Sequence, residues 1–152
     1  TRGVYTEESA DAAGLMPQVP MYTLGRDYLP PGVLAGAMRY HGVAPIVSSL
    51  FREKYVEAVA HGQIESYSAG LMFTRAEGIV LSPHAMYTVK EVIEQALRCK
   101  ASGAEDTILF TVTPAASTES SPYDTLLDGV MHDEQPEEAS LKKSLGRFIG
   151  RG

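Results

Sequence analysis

The sequence predicts an α/β layered fold, and three observations carry that reading. Apolar residues recur at helical spacing from Met86 to Leu97, an apolar and β-branched run fills Thr107 to Thr113, and glycine or proline stops separate the patterns. A chain of 152 residues suits one compact unit, since a domain of this size hides roughly two-thirds of its unfolded surface. With 44% hydrophobic and 21% charged residues and a mean hydropathy of -0.09, the composition is that of a globular protein.

Residues 1 to 35 contain Pro17, Pro20, Pro30 and Pro31, and the segment reads as loop or irregular wrapping. From Ala44 to Glu53, Ile46, Val47, Leu50 and Phe51 have helical spacing, with Pro45 acceptable in a first turn. Tyr55 to Ala60 reads as a short strand closed by Gly62. Ile64 to Ala76 reads as a helix that stops at Gly78.

Ser82 supplies a capping hydroxyl and Pro83 a first-turn proline for the clearest helix of the sequence, in which Met86, Val89, Ile93, Ala96 and Leu97 share a face. Gly103 ends it. The run from Thr107 to Thr113 has the composition of a strand buried on both faces, stopped by Pro114. A small, polar loop is expected from Pro114 to Pro122. Two regions are therefore expected: 1–132, and a charged tail over 133–152 that is helical from Leu141 to Phe148.

A net charge of -6 excludes the lysine and arginine excess with which nucleic-acid binders neutralise phosphates. No stretch approaches the roughly 20 apolar residues of a membrane-spanning helix. Cys99 has no second cysteine to pair with, which fits a reducing compartment, and the location expected is the cytoplasm or an organelle matrix or stroma. The start at Thr1, without methionine or a signal peptide, suggests removal of an upstream segment.

Motifs with chemistry of their own are scarce. There is no G-x-G-x-x-G or P-loop, no metal-ligand spacing, and no G-x-S-x-G elbow around Ser117, Ser120 or Ser121. His61 and His132 read as surface loop residues, His41 as a loop-ordering residue, and Lys90, beside Glu91 and Glu94, as a solvated surface lysine.

Several blocks together carry a family likeness: Thr1-Arg-Gly-Val-Tyr5, Ala13-Gly-Leu15, Met21-Tyr-Thr-Leu-Gly25 with Asp27, Ala35-Gly36, Arg39-Tyr-His-Gly42 with Ala44-Pro45, Tyr55 to Ala60, Gln63, Arg75, Glu77-Gly-Ile79, Glu94 to Arg98, and Ile108-Leu-Phe110. Their order and spacing resemble type-2 tryptophan synthase β subunits over residues 1 to about 125. The resemblance implies the C-terminal portion of a three-layer, fold type II pyridoxal-phosphate enzyme. In that family L-serine and indole are joined by β-replacement, with a Schiff-base lysine and a glycine-rich phosphate loop.

Both of those elements lie upstream of where Thr1 aligns, and none of Lys54, Lys90, Lys100, Lys142 and Lys143 has the flanks of the family's lysine. Thr113 aligns with a serine whose hydroxyl meets the pyridine nitrogen, and it either plays that part or caps a turn at a strand end. The family's Gly-His-Gly loop is replaced by Pro114, Ala115 and Ala116, and its Glu-Ser and following His by His84, Ala85 and Tyr87. The resemblance thus places Thr113, Glu77, Gly78 and His84 near the cofactor, with no catalytic residue in this chain.

Two functions follow from the resemblance. The chain is either a segment of a pyridoxal-phosphate enzyme, not competent alone and needing the upstream half of the fold, or a degenerate, non-catalytic subunit of a larger complex. Bound alone, the chain is expected to hold no cofactor.

Overall fold

A computed structural model of the chain describes residues 3–35, 39–115 and 121–149. Two strands and five helices occur among them, in keeping with the α/β class, and they divide into two compact units. One is drawn from Thr1–Gly32, Arg39–Ala58 and Glu134–Gly152, the other from Val33–Met38 and Val59–Asp133.

In the first unit, β1 (Val4–Ser9) and β2 (Gln18–Thr23) pair antiparallel, with Val4 opposite Thr23 and Ser9 opposite Gln18. The proline-rich segment is therefore not irregular. Pro20 sits opposite Glu7 in a two-stranded ribbon, where no third strand among the described residues requires its missing N–H. Between the strands, the Asp11 carboxylate accepts the backbone N–H groups of Leu15 (2.9 Å) and Met16 (2.8 Å), which hold its carboxyl below the usual range.

Helix α1 (Pro45–Arg52) forms where its spacing predicts, with Pro45 in the first turn. The buried Ser48 hydroxyl accepts from Tyr22 N–H and donates to the Val43 carbonyl, both at 3.1 Å, so it fixes α1 on β2. Edge-on contacts run from Tyr5 to Tyr22 to Phe51 at 5.2 and 5.3 Å. The C-terminal helix (Glu138–Gly146, called α5 below in chain order) buries Leu141 and Leu145 against Tyr28, with Val4, Leu24 and Phe148 around them.

The second unit is built on α2 (Gln63–Glu77) and α3 (Pro83–Ser102). Both end at glycines in the left-handed region, Gly78 at φ 72° and Gly103 at φ 73°, as the stop signals require. At the start of α2 the Asp133 carboxylate accepts from Gln63 N–H (2.7 Å) and Ile64 N–H (3.1 Å), while Glu65 reaches back to Gly62 N–H (2.7 Å). Tyr67, Leu81, Ala85, Met86, Val89, Tyr123 and Met131 form the buried core, with Tyr123 supplied by α4 (Ser121–Leu127). A Cβ on Gly70 of α2 would stand 2.6 Å from Met86 Cγ, so glycine allows the two helices their close approach.

Two strands expected from the sequence do not form. Residues 55–60 carry no strand, and Tyr55 and Val59 are exposed. Residues 107–113 form no strand, and Leu109 is 96% exposed. Alternation survives: Phe110 packs on the core and meets Phe73 edge-on at 6.2 Å, while Leu109 and Thr111 on either side face out. An apolar, β-branched composition reports what a segment is suited to bury, and the neighbours that would bury this one are not among the described residues. The loop expected from Pro114 to Pro122 lies partly outside the described residues, and helix α4 already begins at Ser121.

Candidate functional site

The short connection between α2 and α3 carries the candidate site. Glu77 is the exposed last residue of α2 and Gly78 its left-handed cap. The chain then runs through Ile79 and Val80 to Leu81, which forms an antiparallel bridge with Pro114. Around that bridge Ser82 N–H donates to the Thr113 carbonyl (2.8 Å) and Ala115 N–H to the Val80 carbonyl (2.9 Å). Strand-like pairing thus exists only at this end of the 107–115 segment.

Ser82 precedes α3 as expected, but its hydroxyl does not cap the helix. It bonds instead to His84 Nε2 at 3.1 Å, and Ser82 itself is buried. One residue therefore ties His84, through its side chain, to Thr113, through its backbone. Glu77 and Gly78 share no hydrogen bond or ion pair with either residue among the described ones. Ala116, Ser117 and Ser120 lie outside the described residues, as do Thr1 and Gly36.

Tyr123 has no counterpart in the reading of the sequence. Its buried phenol accepts from Leu81 N–H (2.9 Å) and donates to the Leu81 carbonyl (2.8 Å). Both polar groups of a fully buried residue are thereby satisfied by one side chain. A tyrosine three residues into a short helix gives no sequence signal of such a role.

Two residues read as surface groups are instead partnered. His61 bonds Glu91 at 2.8 Å and stands 3.7 Å from Glu65, with its side chain only 14% exposed. Lys90 sits between Glu94 (2.5 Å) and Glu65 (3.3 Å), and these carboxylates, Glu94 foremost, raise its ammonium above the ordinary range. Together they join the start of α2 to α3. His41, in the first unit, bonds the Ala10 carbonyl through Nε2 at 3.1 Å, as a loop-ordering residue does. Among the described residues no group of three potential ligands is placed to hold a metal ion, and no helix is long and apolar enough to cross a membrane.

The Thr113 hydroxyl has no hydrogen-bond partner among the described residues, whereas its carbonyl is held by Ser82. A free hydroxyl on a fixed backbone fits the ring nitrogen of a bound pyridine.

Over 133 residues, 88% of its length, the chain is 41% identical to tryptophan synthase beta chain 2 of Aquifex aeolicus (strain VF5). The chain is homologous to tryptophan synthase β chains. It is also 40% identical over 142 residues to tryptophan synthase beta chain 2 of Pyrococcus abyssi (strain GE5 / Orsay), and 42% identical over 138 residues to that of Aeropyrum pernix. No family model matches. The chain spans about a third of the length of these tryptophan synthase β relatives, 31 to 32% in each case, which is consistent with a C-terminal part.

Proposed function

We propose that this chain forms one wall of the cofactor cleft in a pyridoxal-phosphate enzyme of the tryptophan synthase β type, and that it acts with the part of the fold it does not itself contain. The observation that carries the reading is the 107–113 segment, in which Ile108 and Phe110 are half-buried while Leu109, Thr111 and Val112 are exposed, and which ends at Thr113, whose carbonyl is held by Ser82 and whose hydroxyl has no partner among the described residues. A strand of this composition is stable beside other strands, so the missing neighbours belong to a complement that docks there.

In this reading Thr113 meets the pyridine nitrogen, and Glu77, Gly78 and His84 border the substrate space. When bound, the cofactor supplies an electron sink for bonds at the substrate's α-carbon. The residues of this chain orient and enclose. His84, anchored through Nε2 to Ser82, presents its other ring nitrogen as the group able to hold or pass a proton at this edge. The substrates proposed are L-serine and indole.

The test is complementation. The chain is mixed with the part of the Aquifex aeolicus β chain that it does not match, and pyridoxal phosphate, serine and indole are added. A stable complex with a cofactor absorbance band that neither piece gives alone, together with tryptophan formation, is expected. Failure to form a complex overturns the reading. A complex that binds no cofactor leaves the chain a non-catalytic subunit.

A further inference from the structure

We propose that Tyr123 is the positioning residue of the Thr113–His84 edge, an inference that rests on the cofactor-side reading given above. The Val80–Ser82 connection is short, precedes a helix and, among the described residues, pairs with 113–115 through two backbone bonds. Such a connection has little to hold its register by itself. Its central residue, Leu81, is fully buried, and both its N–H and its carbonyl are bound by the Tyr123 phenol at 2.9 and 2.8 Å.

That single oxygen fixes the plane of Leu81, and with it the direction of the next N–H, that of Ser82, toward the Thr113 carbonyl. Ser82 in turn carries His84 through its hydroxyl. The phenol is held in place by burial and by an edge-on contact with Tyr67 at 6.4 Å. Tyr123 therefore sets how Ser82 holds the Thr113 backbone and the His84 imidazole relative to one another, and it is itself a positioning residue.

Tyr123→Phe isolates this role, because it keeps the ring packing and removes only the oxygen. In the 152-residue chain, amide hydrogen exchange is expected to quicken at least tenfold at Leu81, Ser82 and Ala115, and to stay within about twofold at Val89 in the buried face of α3. Unchanged exchange at those three amides overturns the proposal, as does a uniform rise across α2 and α3, which marks loss of packing alone. If Tyr123→Phe does not fold, the unsubstituted chain decides: the Leu81 amide must exchange far more slowly than that of Ile79, and equal rates overturn the clamp. In the complemented protein, Tyr123→Phe should move the cofactor absorbance maximum in the same direction as Thr113→Val, and identical maxima for Tyr123→Phe and the parent overturn the positioning role. A parent complex without any cofactor band counts against the proposed function, and the exchange rates still decide the role of Tyr123.

Discussion

Arg147, at the end of α5, directs its guanidinium onto the buried carboxylate of Glu8 on β1, and its other terminal nitrogen bonds Asp27 at 2.8 Å. Glu8 also accepts from Ser9 N–H at 2.9 Å and Arg26 N–H at 3.4 Å, and the Phe148 ring lies 4.7 Å beneath the guanidinium. The C-terminal helix thus supplies the countercharge for a carboxylate near the other end of the sequence. Replacing Arg147 with methionine keeps the stem and removes the charge. We expect a loss of about 2–3 kcal/mol in urea denaturation, the range for a charge-assisted bond to a buried group, and partial recovery when Glu8→Gln is added. An unchanged midpoint in the single variant means that the pair contributes nothing.

Acid should loosen the joint between α2 and α3. Glu91 is held below its ordinary value of 4.5 chiefly by the hydrogen bond from His61 and then by Arg98; Glu65 is held below it chiefly by Gly62 N–H and then by Lys90. A carboxyl depressed on folding contributes stability that is complete above the unfolded value and is lost as pH falls through the folded one. Thermal midpoints of the chain should therefore be insensitive to these two groups above about pH 5 and fall below pH 4.5. Glu65→Gln with Glu91→Gln should flatten that acid limb, and an equally steep limb in the double variant rules the two groups out as its source.

Gly70 tests the helix crossing. Alanine is the better helix former by about 1 kcal/mol, so propensity alone predicts a gain for Gly70→Ala. The new methyl would meet Met86 at Cγ (2.6 Å) and Cβ (3.1 Å), close to the root of that side chain, where rotation gives little relief. We expect a net loss of about 1–3 kcal/mol, and Met86→Ala should be less harmful beside Gly70→Ala than alone. Strictly additive effects in denaturation would show that the two residues do not press on one another.

Leu109 separates folding of this chain from docking of the proposed complement. With Leu109 96% exposed, Leu109→Lys should change the stability of the isolated chain by no more than the few tenths of a kcal/mol typical of a surface substitution. In the complementation experiment the same variant should weaken the complex at least a hundredfold, measured by titration calorimetry, because a lysine would enter a sheet face. Equal affinity for both forms places the complement elsewhere.

Local signals made the three longest-argued helices legible: Pro45 opens α1, Gly78 ends α2, and Pro83 and Gly103 bracket α3. What misled were signals that depend on neighbours. Thr107 to Thr113 has a strand's composition, but pairing requires neighbouring strands, and none pairs with it among the described residues. The ribbon of β1 and β2 was hidden by Pro20, which an unshared edge tolerates. At the candidate site, Thr113, Glu77, Gly78 and His84 were reached through family likeness, and the structure joins two of them through Ser82. Tyr123 was illegible because its role depends on Leu81, 42 residues away in the chain.

The bare 107–113 segment has a consequence for any cell that makes this region alone. Seven uncharged residues, three threonines with isoleucine, leucine, phenylalanine and valine, and no proline, are suited to stack on copies of themselves as cross-β. Glu105, Asp106 and Pro114 stand at its two ends as gatekeepers. They hinder addition at the ends and leave the exposed face with Leu109 open, so solubility of the unpaired chain depends on how soon a complement or a chaperone covers that face.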